Sequence, residues 1–271
     1  MVRSLWSGAT GMLAQQTAVD VISNNIANVN TAGYKTSQME FKSLLYQELQ
    51  NKTTSANGDT KPIDSQVGLG VRNSSITTIF RQGAFLEANS DTAFAIGGDG
   101  MFAVKLADGT TAYTRNGDFH FAIQGNGLEL TDSDGNSVLD TKGQPIRLTG
   151  DYSTSKISIS DEGELFYRNA ENNAESLNMT IGLWQFNNPA GLEKMDGSLY
   201  KVTEASGPAL NEATNATLTK SRVVQGYLEG SNVQLADEMV NLIVAQRAYE
   251  ANSRVITTTD TMMQQANQLK Q

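Results

Sequence analysis

The sequence predicts an α+β protein in which long N- and C-terminal helices are paired as a coiled-coil-like stalk, with an antiparallel β domain inserted between them. Each end of the chain repeats apolar residues every seven positions, and the middle alternates short apolar runs with turn dipeptides. Seven residues are close to two helical turns, so each repeat forms a stripe along one side of a helix. The predicted parts are an N-terminal assembly helix (1–30), an extended arm or linker (31–70), the antiparallel β domain (71–220) and a C-terminal assembly helix that packs with 1–30 (221–271).

The N-terminal stripe is apolar and is surrounded by Gln and Asn with almost no charge. The residues that we expect in an assembly interface are Leu5, Met12, Val19 and Ile26. A helix from about Ser4 to Asn28 would contain all of them. Gly8 and Gly11 each weaken such a helix by about 1 kcal/mol relative to Ala. We therefore expect this helix to depend on a partner surface.

The C-terminal stripe belongs to a segment that contains no Pro or Gly after Gly230. Its expected interface residues are Leu235, Leu242, Tyr249, Ile256 and Met263. A second column beside it consists of Ala248, Val255, Met262 and Leu269. Ser231 or Asn232 can cap the first amides of this helix. The outer faces of both helices carry Gln, Asn, Thr and Ser rather than dense Glu and Lys. Such faces can be buried against copies of themselves at a lower desolvation cost than charged ones.

The middle of the chain carries recurrent turn dipeptides that separate short alternating segments. These dipeptides are Asp108-Gly109, Asn116-Gly117, Asn126-Gly127 and Asp134-Gly135. Gly and Asn tolerate positive φ, so this pattern predicts antiparallel hairpins. Residues 43–66 are polar and lack apolar periodicity after Leu49, which predicts a long loop or extended arm. The expected anchors of this arm are Leu44, Leu45 and Tyr46.

The bulk composition excludes several classes of protein. The net charge is −9 and no Lys/Arg cluster is present, which argues against partners such as nucleic acid or an anionic membrane surface. Cysteine is absent, so disulfides and thiolate metal sites are excluded. No apolar run approaches the length of a membrane span, and we expect no membrane insertion. The N-terminus lacks the continuous apolar segment and cleavage site of a secretory signal peptide.

No catalytic constellation stands out, so the sequence predicts a protein that is not an enzyme and has no cofactor and no metal site. The single histidine, His120, lies on an alternating segment and is expected at or near the surface of a strand. The stretch from Asp132 to Asn136 resembles the start of a calcium loop. It has Ser137 where such a loop needs Gly and Gly143 where it needs Glu, so a tight turn is the better interpretation.

Two terminal motifs carry a resemblance to a known family. The stretch Ser23–Lys35 resembles the signature of the flagellar rod and hook family, and Leu242–Asn252 resembles that family's other terminal motif. The run from Ala95 to Gly117 resembles the middle domain of the larger members. The motif residues carried over are Asn25, Ala27, Asn28, Thr31, Gly33 and Tyr34. In this motif the helix would end near Asn30, and Gly33 would supply a positive-φ turn.

The resemblance covers nearly the whole chain and is nearest to the distal-rod members of the family. It implies a structural subunit of the flagellar distal rod that polymerises into a rigid helical tube, transmits motor torque to the hook and encloses the export channel. The implied partners are copies of itself in a helical homo-oligomer, proximal rod proteins, hook or hook-junction subunits, the surrounding basal-body rings and the flagellar export apparatus.

The implied location is the basal body, in a rod that crosses the periplasm to the outer membrane, reached without a cleaved signal peptide. An alternative is a proximal rod or hook-type axial subunit of the same family. Two further alternatives are a surface adhesin with a coiled-coil stalk and a soluble enzyme with an unrecognised site. A substrate-sized pocket with perturbed titratable groups would favour the enzyme.

Overall fold

The computed structural model describes residues 2–50, 65–124, 127–149, 153, 156–168, 173–215 and 217–269. It confirms the predicted fold class, because one long helix lies at each end of the chain and an antiparallel β structure lies between them. Helix α1 spans Val2–Ala27, and helix α2 spans Leu235–Gln268. At 1.5 Å per residue, their 26 and 34 residues give lengths of about 39 and 51 Å. Within the described parts of the chain, neither helix is long and apolar enough to cross a membrane.

The start of α2 differs from the prediction. The residue that precedes the helix is Gln234, and its side chain makes no capping hydrogen bond. The Asn232 side chain is instead hydrogen bonded to Thr36 and to the carbonyl oxygens of Ile79 and Arg81. The prediction of a cap by Ser231 or Asn232 is therefore wrong, because the amide of Asn232 is used for tertiary contacts before the helix begins.

The described strands are numbered in chain order. They are β1 (Ser37–Ser43), β2 (Tyr46–Gln50), β3 (Ser65–Gly68), β4 (Val71–Thr78), β5 (Phe85–Glu87), β6 (Phe94–Gly97), β7 (Met101–Lys105), β8 (Thr111–Thr114), β9 (His120–Gln124), β10 (Gly127–Thr131), β11 (Ser137–Val138), β12 (Arg147–Thr149), β13 (Ile157–Ile159), β14 (Glu164–Arg168), β15 (Ala174–Thr180), β16 (Leu183–Gln185), β17 (Glu193–Lys194), β18 (Leu199–Lys201), β19 (Leu210–Asn211), β20 (Arg222–Gln225) and β21 (Tyr227–Glu229). The pairs that these strands form are antiparallel.

The chain divides into two compact units. The first unit comprises Met1–Ala27, Ser37–Thr78 and Gln234–Gln271, and so contains both helices and the strands β1 to β4. Strand β1 pairs with β4, and β2 pairs with β3. The described parts of the predicted arm are therefore mostly strands rather than loop; residues 51–64 lie outside the described part of the chain.

Strand β4 is attached to α1 by short polar contacts. The Asn73 side-chain amide donates to Thr17 Oγ1 at 2.9 Å, and the Val71 N–H points to Thr10 Oγ1 at 3.5 Å. Gly70 has φ = +114°, and a Cβ at this position would lie 2.2 Å from Thr10 Oγ1. Glycine is needed here both for the backbone conformation and for the close approach to the helix.

The second unit comprises Asn28–Thr36 and Ile79–Val233. Its main sheet runs in the order β12-β10-β11-β7-β8-β18-β17, and β13, β14 and β15 form a smaller sheet. The core is fully apolar around Phe102 and Phe119, whose ring centroids lie 5.1 Å apart. A second cluster surrounds Tyr113, which packs edge-on against Phe186 at 4.9 Å. The alternating segments predicted from sequence place these rings inside because side chains alternate along a strand.

The hairpin predicted at Asn116-Gly117 is wrong, because Gly117 lacks a positive φ and the flanking strands β8 and β9 do not pair; its missing side chain instead lets the backbone approach Phe94. Asp108-Gly109 and Asp134-Gly135 behave as predicted, with φ = +83° and +84° at their glycines. In the second turn, one Asp132 carboxylate oxygen accepts from the N–H groups of Asp134 and Asn136 at 3.0 and 2.8 Å. The carboxylate thus closes a tight turn, as predicted. His120 is exposed at the start of β9, which also agrees with the prediction.

Candidate assembly interface

The two terminal helices pack through small side chains. The side of α1 that faces α2 buries Gly8, Gly11, Ala14 and Ala18. A Cβ on Gly8 would lie 3.0 Å from Ile256 Cγ1. Glycines at these positions let the helix backbones approach closely, because no side chain separates them. We call this α1–α2 contact the seam.

Polar pairs mark both ends of the seam and show that the helices are antiparallel. Near the start of α1, the hydroxyl oxygens of Ser4 and Thr259 lie 3.4 Å apart. Near the end of α1, Asn25 Nδ2 donates to Glu238 Oε1 at 3.2 Å. Residue numbers thus rise along one helix as they fall along the other. Buried polar groups that must meet each other fix a register better than apolar groups, which can slide.

Asn25 also binds the chain that follows α1. Its side-chain nitrogen donates to the Ser37 carbonyl oxygen at 2.8 Å, and its side-chain oxygen accepts from the Ser37 N–H at 3.0 Å. Asn25 is 1% exposed. One buried amide therefore connects the end of α1, the start of β1 and the first turn of α2.

Glu238 is a titratable group in the seam, where its side chain accepts a hydrogen bond from Asn25. Burial raises the pKa of its carboxyl group above the usual range, and the neighbouring Asp237 raises it further. The hydrogen bond from Asn25 acts in the opposite direction on this pKa. Burial at this end of the seam therefore makes the Glu238 carboxyl group easier to protonate than a carboxyl group in water.

The interface residues predicted from the heptad spacing lie in different environments. On α1, Leu5, Met12, Val19 and Ile26 are half-buried. On α2, Leu242, Ile256 and Met263 are half-buried. Leu235 and Tyr249 are 44% and 41% exposed. The assignment of all these residues to an assembly interface stays a proposal.

One side of α2 carries apolar residues that the seam leaves exposed. It contains Val240, Val244, Val255 and Met262, which are 43–61% exposed. The spacings of four, eleven and seven residues place them along one side of a helix. Met239 and Ile243 are exposed on other sides of α2, and Trp6 and Leu13 are exposed on α1. Several exposed apolar residues along one side of a helix are typical of an interaction site. We call the surface formed by Val240, Val244, Val255 and Met262 the outer stripe.

The residues of the family motif lie at the end of α1 and in the chain that follows it. Ala27 is exposed as the last residue of α1, and the Asn28 side chain accepts from the Thr31 hydroxyl at 3.1 Å. Gly33 has φ = +70°, as predicted, and its N–H donates to the Glu229 carbonyl oxygen at 2.7 Å. The ammonium group of Lys194 lies 5.2 Å from the centre of the Tyr34 ring.

The expected arm anchors are unequal. Leu44 is half-buried, and its N–H donates to the Gly70 carbonyl oxygen at 2.9 Å. Leu45 and Tyr46 are 82% and 62% exposed, so neither lies in an apolar groove formed by the residues that the structure describes. Their role as anchors on another subunit stays a proposal.

An open cleft of about 430 Å³ lies in the second unit, beside β14 and β15. Charged residues of both signs line it, among them Asp161, Lys220 and Arg222. The buried Glu212 at its wall is engaged with the backbone and hydroxyl of Ser221, at 2.7 and 2.8 Å. The Glu212 carboxylate therefore holds together the two ends of the chain segment that runs from Glu212 to Ser221.

The chain therefore has paired terminal helices with exposed apolar residues, and a β unit is inserted between them in the sequence. Three parts of the chain match families of flagellar axial proteins. Residues 5–35 match the family "Flagella basal body rod protein". Residues 95–167 match "Flagellar hook protein FlgE/F/G D1 domain", and residues 224–269 match "Flagellar basal body rod FlgEFG protein C-terminal".

Curated relatives narrow the class. The chain is 42% identical to the flagellar basal-body rod protein FlgG of Borreliella burgdorferi, over 100% of this chain and 99% of that protein. It is 40% identical to FlgG of Agrobacterium fabrum, over 96% and 97%, and 37% identical to FlgG of Bacillus subtilis, over 100% of both chains. The chain belongs to the FlgG family of flagellar basal-body rod proteins. The prediction of a structural subunit of the distal rod is confirmed.

The heptad pattern of large apolar residues does not predict the residues that form the seam. Gly8 and Gly11 are weak points of a helix by propensity alone, yet both are buried against α2. A signal was available, since Ser4, Gly11, Ala18 and Asn25 are themselves spaced seven apart. A column of small and polar residues spaced seven apart indicates close helix packing, just as a column of apolar residues does.

Proposed function

We propose that the protein polymerises with copies of itself into a rigid helical tube whose inner wall is built from α1 and α2. The tube transmits motor torque to the hook and encloses the export channel. The role is mechanical and calls for no catalytic step. The observation that carries this proposal is the outer stripe, which the helices of the same subunit leave exposed while their small residues fill the seam.

The two sides of α2 have different environments, and this difference supports a second copy of the chain as the partner. One side is satisfied by α1 through close packing and polar pairs. The other side exposes Val and Met, whose burial against an equivalent subunit would contribute about 25 cal/mol per Å². Heterologous contacts of this kind extend without closing and generate helical filaments.

Further partners follow from the family. The subunit would contact proximal rod proteins on one side and hook or hook-junction subunits on the other, with the basal-body rings around it. It would reach this position, in a rod that crosses the periplasm to the outer membrane, through the flagellar export apparatus and without a cleaved signal peptide. The exposed Leu45 and Tyr46 are candidates for contacts with a neighbouring subunit.

The test places one charge on the outer stripe. Val255→Asp should leave the purified subunit folded, because residue 255 is exposed, but should prevent rod formation by putting an unpaired charge in the interface between copies. Thr257→Asp is the matched control: it adds the same charge to the same helix, two residues on and away from the stripe. Thermal unfolding of both subunits and electron microscopy of basal bodies are the measurements.

We expect normal rods with Thr257→Asp, none with Val255→Asp, and similar thermal midpoints for both. Rods of normal length built from the Val255→Asp subunit would overturn the assignment of the outer stripe to assembly. A clear drop in the thermal midpoint of Val255→Asp alone would show that the stripe stabilises the subunit instead.

A further inference from the structure

The backbone passes between the two units at four places, after residues 27, 36, 78 and 233. At three of these passages, those after residues 36, 78 and 233, the adjoining residues of the second unit lie in or next to one cluster of side chains. All members of this cluster belong to the second unit. We define this cluster, the collar, as Lys35, Thr36, Arg81, Glu229 and Asn232 together with the backbone of Ile79. These residues belong neither to the heptad pattern nor to the outer stripe.

The Asn232 side chain, which lies next to the passage after residue 233, is hydrogen bonded to the chain segments at two other passages, those after residues 36 and 78. Its oxygen accepts from the Thr36 N–H at 2.8 Å and from the Thr36 hydroxyl at 2.6 Å. Its nitrogen donates to the carbonyl oxygens of Ile79 and Arg81 at 2.8 and 3.0 Å. The Ile79 N–H in turn donates to the Thr36 carbonyl oxygen at 2.9 Å. The three chain segments therefore form one hydrogen-bonded piece.

Lys35 makes a second connection among the same segments. Its ammonium group lies 2.5 Å from a carboxylate oxygen of Glu229 and donates to the Arg81 carbonyl oxygen at 2.9 Å. The Lys35 and Glu229 side chains have no exposed surface. Burial lowers the pKa of Lys35, although the carboxylate of Glu229 opposes this shift. Pulling the segment that contains Lys35 away from Glu229 would therefore separate a buried ion pair, which is energetically costly.

Glu229 holds the collar to the β structure. Its second carboxylate oxygen accepts from Arg115 at 3.1 Å, and the oxygen that meets Lys35 also accepts from the Gly83 N–H at 2.9 Å. Arg115 also donates to the Gly98 carbonyl oxygen at 2.7 Å. The carboxylate therefore has one cation from a connecting segment, Lys35, and one from the body of the β unit, Arg115.

We propose that Lys35, Glu229 and Asn232 are positioning residues that bind three of the four backbone passages into one piece, so that mechanical load passing between the units is shared by these passages. The proposal rests on the proposed function, since only a subunit under torque needs its passages joined. Without the collar, load could open one segment at a time, because each would be held mainly by its own local contacts.

Lys35→Met tests the collar with little damage to the fold. After this substitution Glu229 still has Arg115 and the Gly83 N–H as partners, so its charge stays paired. Arg115→Met is the matched control, because it removes the other cation of the same carboxylate but lies on no connecting segment. The measurement is amide hydrogen exchange of the full-length subunit, followed at Gly33, Ile79 and the core strand β7.

We expect Lys35→Met to raise exchange at Gly33 and Ile79 by about 100-fold while β7 is unchanged, as for a local opening. We expect Arg115→Met to change the collar and β7 together. Exchange at Gly33 and Ile79 that stays within about threefold of the unmodified subunit, or that rises only in step with β7, would overturn the collar.

A second experiment adds load. Cells that carry Lys35→Met with Asn232→Ala should build rods and swim normally in dilute medium, but should lose at least about half of their speed in viscous medium, relative to cells with the unmodified subunit. Undiminished speed under load would overturn the sharing of load. Absence of the unmodified subunit from purified rods would instead refute the proposed function, and the exchange measurement would still decide whether the collar holds the passages together.

Discussion

The Cα of Gly33 faces the backbone of Asn116, and a methyl group on Gly33 would lie 2.5 Å from the Asn116 amide nitrogen. Gly33 also has φ = +70°. Gly33→Ala therefore combines an unfavourable backbone conformation with a collision against backbone that cannot rotate away. We expect it to lower the free energy of unfolding by about 3–5 kcal/mol, measured by urea denaturation of the purified subunit.

Gly109→Ala separates the two causes. Gly109 has φ = +83°, but no atom lies within 4 Å of the place that a Cβ would occupy. This substitution should cost only the conformational part, about 1–2 kcal/mol. Equal losses at the two positions would show that the close approach of Gly33 to Asn116 contributes nothing.

The seam makes a prediction about the isolated subunit. Ile256→Asp would place a carboxylate against Gly8, where the two helices pack closely. We expect the two helices to separate, at a cost of about 3 kcal/mol or more. Limited trypsin digestion should then cut at Arg3 and Arg254 much faster, while the β unit stays intact.

Val255→Asp is the control for this experiment. Val255 precedes Ile256 and lies about 100° around the helix from it, on an exposed side of α2, so a carboxylate there remains in contact with water. Digestion of this subunit should match that of the unmodified protein. Faster cleavage in both variants would mean that the seam does not hold the helices together.

The fold was predictable from the sequence because periodicity and turn dipeptides are local signals. Heptad spacing located both helices, and Asp-Gly and Asn-Gly dipeptides located the β domain. The contacts between distant segments were not predictable in this way. Asn232 looks like a helix cap in the sequence, yet it binds Thr36 across 196 positions. Lys35 belongs to a recognisable motif, but nothing local indicates that its partner is Glu229.

Glu238 predicts a pH dependence of the first unit. Because burial raises the pKa of this carboxyl group in the folded state, the folded protein binds a proton more tightly than the unfolded chain does. The stabilisation is fully present below the unfolded value, near 4.5, and is lost as the pH rises through the folded pKa. Mild acidification from neutral pH should therefore stabilise the helix pair, measured as its thermal midpoint between pH 7 and pH 5.

Glu238→Gln should raise the midpoint at pH 7 and remove this part of the pH dependence. The glutamine oxygen can still accept from Asn25, and Asp237 still supplies a negative charge in the first turn of α2. Glu250→Gln removes the same charge from an exposed position and serves as the control. A pH profile that is unchanged by Glu238→Gln would assign the dependence to other groups.

We expect the arm to affect the stiffness of the rod, because its exposed Leu45 and Tyr46 are available for contacts with another subunit. Strands β1 and β4 pair as far as Ser43 and Val71, and the Leu44 N–H continues the ladder to the Gly70 carbonyl oxygen. Replacing residues 45–69 by Asn-Gly would therefore close the β1–β4 hairpin without disturbing its register.

The shortened subunit should fold with its thermal midpoint nearly unchanged and should still be exported and polymerise, since the seam and the outer stripe remain. We expect its rods to be more flexible or curved, because contacts far from the axis of a tube contribute most to bending stiffness. Curvature of rods in electron micrographs of purified basal bodies is the measurement. Leu45→Ser with Tyr46→Ser keeps the strands and removes only the exposed apolar groups. Curved rods in both variants would assign the stiffness to the side chains of Leu45 and Tyr46. Curved rods in the deletion variant alone would assign the stiffness to the strands of the arm. Straight rods in both variants would show that the arm does not stiffen the rod.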